Sequence, residues 1–129
     1  MGKENIFIIS AIVIIMLLLL GWQAGFFARI FSAKPIVIPE GIILFYGQGC
    51  PHCKIVDDFI TQNKIEDKVK FTRLEVWYNK DNQAIIAEAA KKCQITSDQV
   101  RVPLLYDGKN CFTGDVDVIN FFKTQTGIQ

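Results

Sequence analysis

The stretch FYGQGCPHCKIVDDFI, residues 45–60, decides the fold prediction because a strand, a tight turn and a helix follow one another within it. Its apolar start, together with the preceding GIIL, is typical of a strand buried on both faces. Pro51 suits the first position of a helix, where a missing N–H costs nothing. The helix that follows has one apolar face and fades near Asn63, so Cys50 is predicted at its N-terminus.

Further strands and helices alternate along the rest of the chain. KVKFTRLEVW, residues 68–77, is typical of a second strand, and the alanine-rich residues 81–93 of a second helix. RVPLLYDGKNCFTG, residues 101–114, is typical of a hairpin that turns at Asp107 and Gly108. A last helix follows, with Asp115 as its predicted N-cap. The order βαβαββα predicts an α/β fold, a four-stranded mixed sheet with helices on both faces.

A long apolar run precedes this domain. Residues 6–22 carry no charge, and as a helix they would span roughly 25 Å. Since apolar and aromatic residues continue to Phe27, we predict one transmembrane anchor. A cleaved signal peptide is the alternative, but the region after Leu20 supplies no clean pair of small residues for cleavage. The predicted organisation is a tail (1–5), the anchor (6–27), a linker (28–39) and the domain (40–129).

Charge gives little support for binding to polyanions. The net charge is +1, and from residue 39 onward eleven lysines and arginines oppose twelve aspartates and glutamates. Without a basic stripe, nucleic-acid binding has no support. Lys3 and the α-amino group before the anchor are balanced by Arg29 and Lys34 after it, so charge alone does not orient the anchor.

Two cysteines lie at the start of the first helix of the domain. Free N–H groups and the helix dipole favour an anion at Cys50, which is therefore expected to be the nucleophile. Cys53, one turn further in, is expected to be more buried and to act as the resolving thiol. The two are close enough in sequence to form a small disulfide ring.

A zinc site and a structural bridge are the alternatives to a redox pair. A tetrahedral zinc site has enough candidate ligands, although structural zinc usually takes two short-spaced pairs. A purely structural bridge between Cys50 and Cys53 is also open, but so small a ring constrains little of the unfolded chain. The candidate zinc ligands are Cys50, His52, Cys53, Cys93 and Cys111.

A Cys-x-x-Cys at a strand–helix junction inside βαβαββα resembles the thioredoxin superfamily, and within it most resembles glutaredoxin, over about residues 40–126. RVP at 101–103 is similar to the cis-proline segment of the family, and TGDVDV at 113–118 to the glycine-rich motif before the last helix. The resemblance implies a thiol–disulfide oxidoreductase that exchanges disulfides with protein thiols and needs no metal or organic cofactor. The implied substrate-binding residues are Arg101, Val102, Pro103, Gly114, Asp115 and Asp117.

Four positions depart from the family pattern. Gly47 stands where glutaredoxins usually carry a lysine that pairs with glutathione, Arg101 replaces the usual threonine, and Thr113 the first glycine of the motif. These departures leave glutathione dependence open. Leu44 stands where thioredoxins carry a buried acid, which argues against a plain thioredoxin.

Pro51 and His52 are also the residues between the cysteines of bacterial periplasmic disulfide oxidants. A histidine that donates to, or attracts, the Cys50 thiolate would stabilise the reduced form and make the disulfide a stronger oxidant. The resemblance therefore favours an oxidase or isomerase.

The remaining two cysteines bear on the compartment. The fold that the resemblance implies favours a second disulfide between Cys93 and Cys111, the alternative being two separate buried thiols. Such a bond implies an oxidising compartment, so we expect the domain outside the cytoplasm, with a membrane redox protein as electron partner. Glu75 is expected to face solvent. Tyr46, Trp77 and Tyr78 flank the strands and are expected to pack in the core or at its rim, the alternative being that they line a groove for a partner. A binding module without enzymatic activity is the rival function.

Overall fold

The computed structural model describes residues 2–23 and 35–129, and the chain divides into two units between Pro35 and Ile36. The first unit contains helix α1, Lys3–Gln23, which is long and apolar enough to cross a membrane. At 1.5 Å per residue its 21 residues extend about 31 Å, close to the thickness of a hydrocarbon core. The predicted end of the anchor (24–27) and most of the predicted linker lie outside the described residues.

The second unit is built on a four-stranded sheet in the order β2-β1-β3-β4. The central strand β1 (Ile42–Tyr46) pairs in parallel with β2 (Phe71–Glu75) and antiparallel with β3 (Leu104–Tyr106). β4 (Cys111–Thr113) completes the hairpin with β3. β1 is central in the sheet, and its side chains Ile43, Leu44 and Phe45 are buried in the clusters on the two faces, as the continuous run GIILFYG predicts.

Three helices connect or follow the strands: α2 (Pro51–Gln62), α3 (Lys80–Lys92) and α4 (Asp115–Thr126). A short 3-10 helix, Ile65–Asp67, precedes β2. α2 begins with proline at its first position, and α3 is capped by the side chain of Asn79, which accepts two backbone N–H groups.

The predicted N-cap of the last helix is wrong by one residue. Gly114 is the N-cap of α4, and no side chain caps this end of the helix. Gly114 has a φ of +89°, a conformation that favours glycine, and its C=O accepts from the N–H of Val118 at 3.2 Å. Asp115 is therefore the first helical residue, and its carboxylate is free to bond elsewhere.

Two apolar clusters cover the two faces of the sheet. α2 and α4 pack on one face and α3 on the other, so the chain has the predicted α/β architecture with helices on both faces, the thioredoxin fold. The buried members of the first cluster are Leu44, Val56, Ile60, Ile65, Leu105, Val118, Phe121 and Phe122. Those of the second are Ile43, Phe45, Val76, Ile86, Ala89, Leu104 and Tyr106.

Candidate active site

Cys50 lies at the N-cap of α2, as the strand–turn–helix pattern predicts. The chain leaves β1 through a turn in which the Cys50 N–H donates to the Gly47 carbonyl at 3.1 Å. The Cys50 Sγ then accepts the N–H of Cys53 at 3.2 Å. Both cysteines are free thiols. The sulfur of Cys50 thus occupies the position that a capping oxygen usually takes, where negative charge is favoured.

The expected difference in burial between the two thiols is wrong. Cys50 is 7% exposed and Cys53 8% exposed. The segment containing Val102 covers Cys50, whose Sγ lies 3.8 Å from the Val102 carbonyl oxygen. A contact between residues 52 positions apart cannot be read from local spacing, which is why the sequence suggested an open thiol.

Cys53 differs from Cys50 in its surroundings. Burial, reinforced by the hydrogen bond with the Cys50 side chain, raises the pKa of the Cys53 thiol from 9.0 to about 12. Cys53 is therefore a protonated thiol at neutral pH. This suits a resolving residue that reacts only after Cys50 has done so.

The segment before β3 connects the cysteines to the last helix. The peptide bond Val102-Pro103 is cis, and Pro103 is buried. The Pro103 carbonyl accepts the N–H of Gly114 at 2.9 Å, which ties the start of α4 to this segment. The structure therefore brings Cys50, Val102, Pro103 and Gly114 together, whereas the sequence places them in three separate segments.

His52 bonds to the last helix. Its Nδ1 lies 3.0 Å from Oδ1 of Asp115, and its side chain is 67% exposed. Among the described residues, no hydrogen bond joins His52 to Cys50. The predicted effect of His52 on the Cys50 sulfur would therefore be electrostatic and would not involve a hydrogen bond. The charge of the Asp115 carboxylate beside His52 would contribute to the same electrostatic field.

Two predicted substrate-binding residues, Asp117 and Arg101, line surface depressions. Asp117 is exposed and lines a depression together with Asp107, Phe112 and Gln125. Arg101 is exposed and lines a groove beside Val102.

Cys93 and Cys111 are joined by a disulfide between the end of α3 and β4.

Glu75 has a role that its place in the sequence did not predict. Its carboxylate accepts the backbone N–H groups of Trp77 (2.7 Å), Tyr78 (3.0 Å), Asn79 (3.2 Å) and Gln48 (3.4 Å). Partial burial opposes ionisation, but these four donors hold the pKa of Glu75 below its ordinary value. The carboxylate of the half-exposed Glu75 thus joins the turn after β2 to the turn before Cys50.

Trp77 explains the glycine at position 47. The indole ring lies against Gly47, and a Cβ atom there would overlap it. A lysine, or any other side chain, is therefore excluded at this position while Trp77 keeps its place. The sequence signal was the glycine itself, combined with a tryptophan just after the neighbouring parallel strand.

The zinc alternative loses two of its ligands, because Cys93 and Cys111 are bonded to each other. Within residues 2–23 and 35–129, no group of three or more His, Cys, Asp or Glu side chains is arranged to hold a metal ion.

Three solved structures show the likeness of this chain to known proteins. A buckwheat glutaredoxin–glutathione complex is 21% identical, with 71% of this chain and 74% of that chain covered and a TM-score of 0.47. A wheat glutaredoxin is 24% identical (69% and 75% covered, TM-score 0.47). Reduced glutaredoxin C1 from Populus tremula x tremuloides is 18% identical (83% and 83% covered, TM-score 0.47). No family model and no curated protein matches the chain.

Proposed function

We propose that this chain is a membrane-anchored thiol–disulfide oxidoreductase that exchanges disulfides with protein substrates through Cys50 and Cys53. The observation that carries the proposal is the sulfur of Cys50 at the N-cap of α2, 3.2 Å from the N–H of Cys53. A purely structural cysteine pair would not require a helix N-terminus, whereas a nucleophilic thiolate is favoured there.

In the proposed reaction the two cysteines act in turn. The Cys50 thiolate attacks a substrate disulfide, so that a mixed disulfide forms and one substrate sulfur leaves as a thiolate. The Cys53 thiol then gives its proton to the departing thiolate and attacks the Cys50 sulfur, which closes the Cys50–Cys53 disulfide and releases the second substrate sulfur. Oxidation of a substrate dithiol is the reverse sequence.

The raised pKa of Cys53 supports this division of labour. With a pKa of about 12, Cys53 is a weak nucleophile in the reduced protein at neutral pH. The first attack therefore falls to Cys50.

The proposed contacts for the substrate strand are Val102, Pro103 and Arg101, because Val102 already lies against the Cys50 sulfur.

The anchor and the second disulfide support a place for the domain at an oxidising membrane surface. α1 has the length and composition of a membrane-spanning helix, and a bond between Cys93 and Cys111 is typical of oxidising compartments. We propose a single-pass N-terminal anchor, an extracytoplasmic domain and a membrane redox protein as electron partner. Glutathione is a less suitable partner, since Trp77 excludes a lysine at position 47.

The proposed direction is oxidation or isomerisation, which rests on Pro51 and His52 between the cysteines. The reduction potential of the Cys50–Cys53 pair tests it. A value near −120 mV, as for a strong oxidant, is expected, whereas a value near −270 mV, as for thioredoxin, would contradict it.

Trapping tests the function itself. A Cys53→Ser variant of the full-length chain keeps the nucleophile but cannot resolve the mixed disulfide, so it should accumulate adducts with protein disulfides that a thiol reductant releases. The Cys50→Ser/Cys53→Ser double variant is the control and should form none. Equal adducts from both variants would contradict the proposal. Full biological activity of Cys50→Ser would favour the rival binding module.

A further inference from the structure

Beside the cysteines lies a groove whose walls come from two distant parts of the chain. Trp77 and Val102 both line the groove, together with the buried side chains of Val76 and Ile86. The groove has a volume of about 360 Å³, near the small end of ligand pockets, which suits one or two side chains of a peptide. Its lining is completed by Gln83, Val100 and Arg101.

The groove adjoins the reactive sulfur. The Cys50 Sγ lies 3.8 Å from the carbonyl oxygen of Val102, which lines the groove. Trp77, which also lines the groove, lies against Gly47, at the start of the turn that carries Cys50. A chain that brings its own cysteine to Cys50 therefore has its neighbouring residues over the groove.

The tryptophan is exposed but held in place. The residue is 48% exposed. Its backbone N–H donates to Glu75 at 2.7 Å, and its carbonyl accepts from Gln83 Nε2 at 3.2 Å. The same Glu75 carboxylate also accepts from Gln48 at 3.4 Å, so Trp77 and the turn before Cys50 are fastened to each other. An exposed tryptophan on a fixed backbone has only two side-chain torsions to restrict and so loses little conformational entropy on binding, which is why such rings dominate protein contacts.

We propose that this groove binds an apolar side chain next to the reacting cysteine of an extended substrate segment. The inference rests on the proposed function and deepens it by naming the substrate class, a protein segment in which a large apolar residue adjoins the cysteine. Arg101 is the charged residue of the lining among the described residues, so an acidic residue further along the segment is preferred to a basic one. Glutathione, which has no large apolar side chain, gains nothing from the groove.

A set of model disulfides tests the proposal on the full-length chain in detergent. Each is a short peptide with one cysteine, joined as a mixed disulfide to 5-thio-2-nitrobenzoate, and the peptides differ only in having Phe or Ala on either side of the cysteine. Attack by Cys50 bonds its sulfur to the peptide cysteine and releases the coloured thiolate, so absorbance gives the second-order rate constant. For the wild-type protein, the Phe peptides should react about 10-fold faster than the Ala peptides.

Variants of the lining separate binding from general damage. Trp77→Ala should lose the preference for Phe, to within about 2-fold of equal rates, and Trp77→Phe should restore part of it. Val102→Ala, also in the lining, should weaken the preference independently of any effect that Trp77→Ala has on folding. Tyr78→Ala is the matched control, since Tyr78 is the adjacent aromatic residue, is 75% exposed and does not line the groove, so its variant should keep both rates.

The outcomes distinguish this inference from the proposed function. Two results would overturn the proposal that the groove binds an apolar side chain. One is equal rates for the Phe and Ala peptides with the wild-type protein, and the other is a loss of preference in Tyr78→Ala as large as in Trp77→Ala. If Cys53→Ser nevertheless traps protein adducts, the proposed function stands without it. If Cys53→Ser traps none, both are overturned.

Discussion

The two cysteine pairs of this domain lie at opposite ends of the same sheet. Cys50 follows the end of β1, whereas Cys111 is paired with Tyr106, which in turn is paired with Ile43 near the start of β1. At the first end the sulfurs are free thiols at a helix N-terminus. At the other end Cys111 is bonded to Cys93, the C-cap of α3.

The position of each pair in the fold, and not the cysteine side chain itself, makes one pair suited to exchange and the other suited to stabilising the fold. A pair three residues apart closes a ring too small to constrain the unfolded chain, and its value lies in the N–H donors of α2. A pair 18 residues apart closes a loop that holds a helix to an edge strand. Changes at one end should therefore affect exchange, and changes at the other should affect folding.

Loss of the Cys50 sulfur should have the largest effect. Cys50→Ser removes the nucleophile, so we expect the rate of disulfide exchange to fall by more than about 1,000-fold, measured as release of 5-thio-2-nitrobenzoate from a peptide mixed disulfide. The Cys93→Ala/Cys111→Ala variant is the control at the other end and should keep its rate within a few-fold. Retained exchange in Cys50→Ser together with lost exchange in Cys93→Ala/Cys111→Ala would contradict this assignment of the two pairs.

Removal of the second disulfide should act on stability. Cys93→Ala/Cys111→Ala should lower the free energy of unfolding by about 3 kcal/mol, because the unfolded chain regains the freedom of an 18-residue loop. Urea unfolding of the full-length chain in detergent, followed by tryptophan fluorescence, measures the loss. Cys50→Ser should lose much less, and a similar loss in both would show that the two ends are not separate.

The Cys53 thiol should show a strong pH dependence. Burial and the contact with Cys50 raise the pKa of Cys53 to about 12, so its alkylation by iodoacetamide in the reduced protein should rise about 10-fold per pH unit from pH 7 upward. Mass spectrometry of the modified cysteines gives the rate at each position. In urea, Cys53 should react as an ordinary thiol.

The same pKa has a consequence for stability. Because the folded state holds the Cys53 proton more tightly than the unfolded state, this contribution to the stability of the reduced protein is present below about pH 9 and lost as the pH rises towards 12. Alkylation of folded Cys53 as fast as that of Cys50 at about pH 8 would contradict the assignment of a resolving thiol.

The pair of His52 and Asp115 should give the smallest effect. If a cationic His52 stabilises the Cys50 thiolate, Asp115→Asn removes a competing carboxylate and should raise the reduction potential by about 30 mV, while His52→Ala should lower it by a similar amount. In the His52→Ala background, Asp115→Asn should change the potential much less. Equal shifts in both backgrounds would show that Asp115 acts independently of His52.

Much of the fold was predictable because it follows from local rules. The apolar run before Gly47 and the proline at 51 predict a strand and a helix start, and so put Cys50 at the N-cap. The order of the remaining elements then limits the sheet to a parallel pair with an added hairpin. The error at Asp115 arose because a preference for acidic caps was applied where Gly114, with its positive φ, takes the position.

The anchor-like helix, the order of strands and helices, and the cysteine at a helix N-terminus could be predicted from the amino-acid sequence, since each depends on periodicity or on the conformational preferences of a few adjacent residues. Three contacts became visible only in the folded domain: Val102 with Cys50, His52 with Asp115, and Trp77 with Gly47. These contacts join residues 30 to 63 positions apart, and strand register and helix packing, which act over the whole domain, set them.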